Sequence, residues 1–295
     1  MSMYNQIIAN KRKTNLLIVL FVVCIIGFGY VFGSVSGYGW YGIFPAAIIS
    51  ISMALVSYYS GDKVALAVSG AKEIRKEDNP YVYRMVENLS ITNGMPMPKV
   101  HIIQDQAINA FATGRDPQHA SIAITQGAIQ KLENEELEGV IAHELSHVHN
   151  YDIRVMTIVV VLVGVIALLS NWMLHVNMLG NNRDREKSPH PIFLVIGIVL
   201  MIIAPIVAEL IKLAVSRKRE FLADASGALL TRYPEGLARA LEKIATEGAS
   251  MAHASEATAH LYFANPFGRS RQWLTKLFST HPPIEERVKA LRSMS

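Results

Sequence analysis

Two histidines and a glutamate stand together in the run His143-Glu144-Leu145-Ser146-His147. On a helix, positions i and i+4 share a face, so both imidazoles can reach one ion while the intervening glutamate serves as a general base. With 10 histidines in 295 residues, chance produces this pattern on the order of a few times per hundred such chains. The plainer alternative, two solvated histidines on a surface helix, is therefore disfavoured. The chemistry implied is hydrolysis at zinc, which takes three protein ligands and leaves a fourth position for water.

The third ligand must come from elsewhere in the chain. Glu220 and Asp224 are spaced i, i+4 just after an apolar stretch that returns the chain to the same membrane face. Glu220 could ligate while Asp224 accepts a hydrogen bond from a ligand imidazole and fixes its tautomer. Spacing alone leaves equally open a solvated stripe paired with Arg217 or Lys218. Asp184 and Glu186 fall on the opposite side of the membrane. His149 points away from the face shared by His143 and His147, His175 and His190 lie near the far membrane surface, and His101, His119, His253 and His260 have no ligand spacing.

These groups need elements to hold them, and composition says what kind. The chain is 51% hydrophobic and only 18% charged, with a mean hydropathy of +0.26. Thr14–Gly61, Val155–Asn182 and Ser188–Ala208 contain no Asp, Glu, Lys or Arg. The remainder is then about a quarter charged, the share of an ordinary globular domain. This describes a membrane protein carrying one water-exposed domain and excludes a soluble enzyme, a disordered chain and a secreted disulfide scaffold. The single cysteine, Cys24, has no partner in the chain, which suits a reducing compartment. A net charge of +4 is explained by topology, so nucleic acid is not expected as a partner.

About 20 apolar residues cross a bilayer, so the first charge-free stretch reads as two spans, Asn15–Phe32 and Tyr38–Tyr59, broken at Gly33-Ser34-Val35-Ser36-Gly37. Residues 155–178 and 191–214 make two more, giving four transmembrane helices. Lys11, Arg12, Lys13, Lys63, Arg154, Lys212, Arg217, Lys218 and Arg219 flank one face, against Arg183, Arg185 and Lys187 on the other. That bias places both termini and the polar domain in the cytoplasm. The expected organisation is a membrane hairpin over 1–61, a first catalytic part over 62–154, a second membrane hairpin over 155–215 and a second catalytic part over 216–295.

In the first catalytic part, Asp78-Asn79-Pro80 opens a helix over Pro80–Ser90. Lys99–Ile103, Asn109–Thr113 and Ala120–Thr125 read as short strands, and a long helix from about Asn134 carries the two histidines. Ser250–Phe267 reads as a loop that could cover the cleft, or equally as an apolar patch resting on lipid.

Taken together, His143-Glu144-Leu145-Ser146-His147 with Asn150-Tyr151-Asp152, then Arg219-Glu220-Phe221-Leu222-Ala223-Asp224, then His281-Pro282-Pro283 with Arg287, resembles the M48 membrane zinc metalloproteases over essentially the whole chain. The resemblance is to a stress-linked bacterial branch concerned with membrane quality control. It implies an α+β, mostly α-helical protein with a zincin-like cytoplasmic domain. It also implies one Zn2+ per subunit on His143, His147 and Glu220, with Glu144 catalytic and Asp224 behind a ligand. Asn109, His281 and Arg287 would line the site. On their residues alone these three read as a strand-edge amide, a helix-start residue and a surface ion pair. Asp152 reads either as support for a ligand or as a helix-end residue.

The expected activity is that of a zinc endopeptidase acting on unfolded or extended polypeptides, chiefly membrane proteins, at the surface of the lipid bilayer. Such a chain would pair with the edge strand around Asn109 through its backbone. The rivals are an intramembrane protease, a prenyl-protein peptidase of the same family and a zinc-stabilised scaffold. Glu133, Glu135, Glu136 and Glu138 would be costly in lipid, four spans leave little room for a large chamber, and a scaffold has no need of Glu144.

Overall fold

The computed structural model describes residues 3–35, 37–164, 217–252, 255, 257–268 and 282–294. The expected spans over 155–178 and 191–214 lie largely outside them. The first two helices are α1 (Met3–Val35) and α2 (Ile43–Val68). The expected break between them is present: Gly37 and Gly39 take φ of 80° and 56°, a backbone region that costs glycine nothing. Among the described residues, one helix, Gly39–Val68, meets the length and hydropathy needed to cross a membrane.

Helix α1 begins well before the apolar run, through Lys11, Arg12 and Lys13, all good helix formers. Its buried residues Asn10, Thr14, Leu17, Phe21 and Ile25 recur at helical spacing, so one continuous face runs from the apolar segment to the polar N-terminal turns.

A four-stranded sheet is ordered β1-β2-β4-β3, from β1 (Ala71–Glu73), β2 (Lys99–Ile103), β3 (Ala110–Gly114) and β4 (Ala120–Thr125). Strands β2 and β4 are parallel and the other pairs antiparallel. All of β3 and β4 is buried, and the period of two divides their side chains between two cores. Ala110, Ala112, Ile122 and Ile124 face a cluster with Leu137, Ile141 and Leu145. Phe111 and Ala123 join Leu17, Phe21, Ala65, Ile158 and Val159 in the other. The sheet is thus a layer between the histidine helix and the bases of α1 and α2.

Helix α3 (Pro80–Thr92) starts as its sequence predicts, with Asn79 Oδ1 accepting from Val82 N at 3.1 Å. After α4 (Gln126–Lys131) comes α5 (Asn134–His149), which bears the paired histidines. Its start is fixed by Glu136 Oε2, which accepts from Glu133 N at 2.8 Å. Beyond it, Tyr151 adopts φ of 60°, the left-handed turn usual just past a helix end. Residues 152–164 then form α6. The second catalytic part contributes α7 (Arg217–Thr231), α8 (Pro234–Glu247) and α9 (Ile284–Arg292).

Candidate metal centre

Glu220, Asp224 and Gly227 share one face of α7 by their spacing, and that face crosses α5 at His143. A Cβ at Gly227 would lie 3.0 Å from the His143 backbone N, so the absence of a side chain there lets the helices approach this closely. Glu220 and Asp224 are consequently buried, at 1% and 0% exposure. This removes the reading of a solvated stripe.

The Nε2 atoms of His143 and His147 face each other at 3.2 Å. Glu220 Oε1 lies 3.5 Å from His147 Nε2, and Oε2 lies 3.8 Å from His143 Nε2. One ligand atom from each residue falls within 4.8 Å of the others. A tetrahedral ion with bonds of ~2.0–2.1 Å holds its ligand atoms about 3.3 Å apart, so two imidazoles and a carboxylate at these separations fit zinc. Each ring's other nitrogen is held by a carboxylate: His143 Nδ1 lies 2.9 Å from Asp224 Oδ1, and His147 Nδ1 lies 3.1 Å from Asp152 Oδ2. Such contacts fix the tautomer that turns the Nε2 lone pair toward an ion.

Arg287 comes from α9, where it shares the buried face with Val288 and Leu291. Its Nε and Nη2 donate to Asp224 at 2.8 and 2.6 Å, and Nη1 lies 3.9 Å from Glu220 Oε2. The surface-pair reading of Arg287 fails, because the side chain is 1% exposed. Its guanidinium also lies over the Phe263 ring at 4.8 Å, and that ring sits edge-on to His143 at 4.9 Å.

Burial pushes the Glu144 carboxyl up to about 7, with the nearby Glu220 charge adding to the effect. Burial likewise lowers His143 to about 4, although Asp224 pulls the other way. At His147 burial is overcome by the Asp152 hydrogen bond and the Glu220 charge, and the group rises to about 9. Desolvation opposes the ionised form of Asp224, yet Arg287 outweighs it and holds this carboxyl well below its usual range. The carboxylates thus demand a cation between the imidazoles, which a proton on His147 supplies or a metal ion can replace.

Glu144 is 2% exposed, and its Oε2 accepts from the backbone N–H of Ala112 on β3 at 2.9 Å. Asn109 stands just before β3. Its Nδ2 donates to Ala264 O at 2.9 Å and its Oδ1 accepts from Ala264 N at 3.0 Å, while Phe263 N donates to Ala110 O at 2.8 Å. The expected open edge around Asn109 is therefore corrected: residues 263–264 already pair with it and cover this part of the cleft. His281 lies outside the described residues. Sequence reasoning missed Asn10, placed Ala112 in the edge strand and Phe263 in the covering loop without giving either a role, and saw Arg219 as a membrane-flanking charge at the head of the Glu220 motif. None of the four carries a local spacing signal.

Residues 76–295 match the model of peptidase family M48. The chain belongs to that family. It is 45% identical over 292 residues to the "Protease HtpX homolog" of Tropheryma whipplei (strain Twist), covering 99% of this chain and 98% of the relative. The protein of the same name from Thermoanaerobacter pseudethanolicus is 44% identical over 298 residues, covering 100% and 98%. That from Lactobacillus acidophilus is 45% identical over 308 residues, covering 99% and 100%. A crystal structure of S. mikatae Ste24p aligns with 97% of this chain and 66% of that one, at a TM-score of 0.48 and 16% identity. Family and relatives make the chain a membrane metalloprotease. M48 metalloproteases use zinc, and its His143, His147 and Glu220 form the group that suits that ion.

Proposed function

We propose that this M48 protease is a zinc endopeptidase of the cytoplasmic membrane that cleaves unfolded or damaged membrane proteins in quality control and the stress response. His143, His147 and Glu220 would hold one zinc ion per subunit. Zinc, when bound, supplies a Lewis acid that polarises the scissile carbonyl and makes water more acidic. Glu144 takes a proton from the attacking water and delivers it to the leaving amine, with no covalent acyl-enzyme. A buried carboxyl next to the ligands is placed for both transfers. Asp224 and Asp152 hold the imidazoles in register, and Arg287 keeps Asp224 ionised. The observation that carries this reading is the convergence of the two Nε2 atoms on Glu220 with both Nδ1 atoms held by carboxylates.

The same reading gives four membrane crossings with both termini and the catalytic domain in the cytoplasm, divided at 1–61, 62–154, 155–215 and 216–295. The lysine and arginine bias supports it. Extended segments near the bilayer are favoured substrates, since Asp152, beside the site, opens a helix that carries no charge from Val155 to Gly164, its last described residue. The deciding experiment measures zinc content and hydrolysis of an unfolded protein by detergent-purified enzyme and its Glu144→Gln variant. Stoichiometric zinc with turnover lost supports the assignment, and turnover retained by Glu144→Gln refutes it.

A further inference from the structure

Asn10 lies on α1, far in sequence from the candidate ligands, yet it is 3% exposed and packed beside them. Its Nδ2 donates to Asp152 Oδ1 at 2.8 Å and to Asn150 O at 3.0 Å. Its Oδ1 accepts from Arg219 Nη1 at 3.4 Å, and the same Nη1 reaches Asp152 Oδ1 at 3.3 Å. The amide thus uses both hydrogens and its oxygen on three segments: the end of α5, the start of α6 and the start of α7. Asp152 turns its other oxygen to His147 Nδ1, and Arg219 immediately precedes Glu220.

We propose that Asn10 is a positioning residue of the metal centre, holding Asp152 so that His147 keeps its Nε2 directed at the ion. The inference rests on the zinc reading above and adds to it a contribution from the first apolar helix. Two further features support it. The buried stripe Asn10, Thr14, Leu17, Phe21, Ile25 makes Asn10 the polar end of the face by which α1 packs, so its place depends on that packing. One residue along, Lys11 Nζ lies 4.7 Å from the centre of the Tyr151 ring, beside the turn that aims Asp152. A carboxylate contacting His147 through one oxygen retains rotational freedom unless its second oxygen is held. Asn10 and Arg219 provide that hold, Asn10 from an element outside both catalytic parts of the chain.

A double-mutant cycle tests this, because two residues acting through one contact do not add. Zinc affinity is measured by competition with a chromophoric chelator for full-length wild type, Asn10→Leu, Asp152→Asn and the double variant, with the unfolding midpoint of each chelated protein recorded alongside. Asn10→Leu is expected to weaken zinc binding roughly 5 to 50-fold, somewhat less than direct loss of a ligand's partner. The double variant should bind no more than about twofold worse than Asp152→Asn alone. With zinc saturating, KM should stay within about twofold, since the amide does not meet substrate. Unchanged affinity in Asn10→Leu, or effects that multiply in the double variant, would overturn the proposal. If Asn10→Leu fails to assemble, Asn10→Ser removes the amide with less change in packing and runs through the same cycle. His147→Ala is the control: zinc lost there with Asn10→Leu unaffected rejects only the role of Asn10, whereas zinc retained rejects the ligand assignment and this inference with it.

Discussion

Arg287 grips Asp224 with two hydrogen bonds of 2.6 and 2.8 Å, and Asp224 in turn lies 2.9 Å from His143 Nδ1. An ionised carboxylate can only accept, so the proton in the Asp224–His143 contact belongs to Nδ1, and the Nε2 lone pair is left for an ion. The guanidinium on a third helix, whose Nη2 also lies 3.5 Å from His143 Nδ1, thus sets the tautomer of that ring through the carboxylate it holds.

Metal content should separate these residues by role. His143→Ala, His147→Ala and Glu220→Ala are each expected to lose zinc, whereas Asp224→Asn should keep it with affinity lowered about 10 to 100-fold. Equilibrium competition against a chelator reads both. Stoichiometric tight zinc in Glu220→Ala would shift the ligand role to Asp224.

Removing the cation from this chain should damage the fold as well as the site. Arg287→Leu leaves Asp224 ionised and buried without its partner, a change that costs about 3–5 kcal/mol. Denaturant unfolding of the chelated protein checks it. The double variant Arg287→Leu, Asp224→Leu should be the more stable of the two, because the Asp224 charge no longer has to be accommodated.

Glu144 gives a pH signature in the metal-free protein. Its carboxyl titrates at about 7 when folded against 4.5 ordinarily, so between these values the folded chain keeps a proton that the unfolded chain has released. Stability therefore falls as pH rises through that window and levels off above about 7. Glu144→Gln cannot ionise and escapes the loss. Its stability gain over wild type should be near zero at pH 4.5 and reach on the order of 1–3 kcal/mol at pH 8. A gain that is the same at both pH values would refute the shift.

Asn109 serves in this structure as a clasp for Ala264. Asn109→Ala removes both bonds, at a cost of about 1–3 kcal/mol, and should make residues 251–267 more susceptible to limited proteolysis in zinc-loaded protein without substrate. If Asn109 instead acts only by binding substrate, cleavage in this segment will not change.

Orientation is tested in intact cells. In a Cys24→Ser background, cysteines placed at Ser2 and Ser295 should be shielded from an impermeant thiol reagent, and one at Ser188 should react. Labelling at the two termini from outside would invert the proposed topology.

Local spacing was legible in the sequence and long-range packing was not. Strands β2 and β4 fall at the expected residues, and α5 begins at Asn134 as its sequence predicts. The pairings i, i+4 of His143 with His147 and of Glu220 with Asp224 need only one helix each. Asn10 and Asp152 are 142 positions apart, and no periodicity links an amide on one helix to the first residue of another. Only the resemblance points to Arg287, and the reason its own residues do not is subtler. Glu285-Glu286-Arg287 looks like a solvated charge run, but Arg287, Val288 and Leu291 lie on one helix face, and that face is the buried one. The β3 edge looked open because its partner, residues 263–264, comes from a loop with no strand pattern.

The hydrogen bond from Ala112 N to Glu144 Oε2 has an implication for when the enzyme becomes active. An outward N–H of an edge strand is what an extended peptide needs in order to dock on it, and in the resting protein that N–H is engaged by the proposed base itself. If a substrate strand pairs at Ala112, docking would be an exchange of partners: the incoming carbonyl would take the strand's donor and the carboxylate would be set free as a scissile bond arrives beside it. On this reading the arming signal is a stretch of bare backbone. A segment that can lie flat along β3 beyond Ala110, past the pairing with residues 263–264, would be a substrate whatever its side chains, and a chain whose amides are already satisfied by its own fold would leave the base tied down.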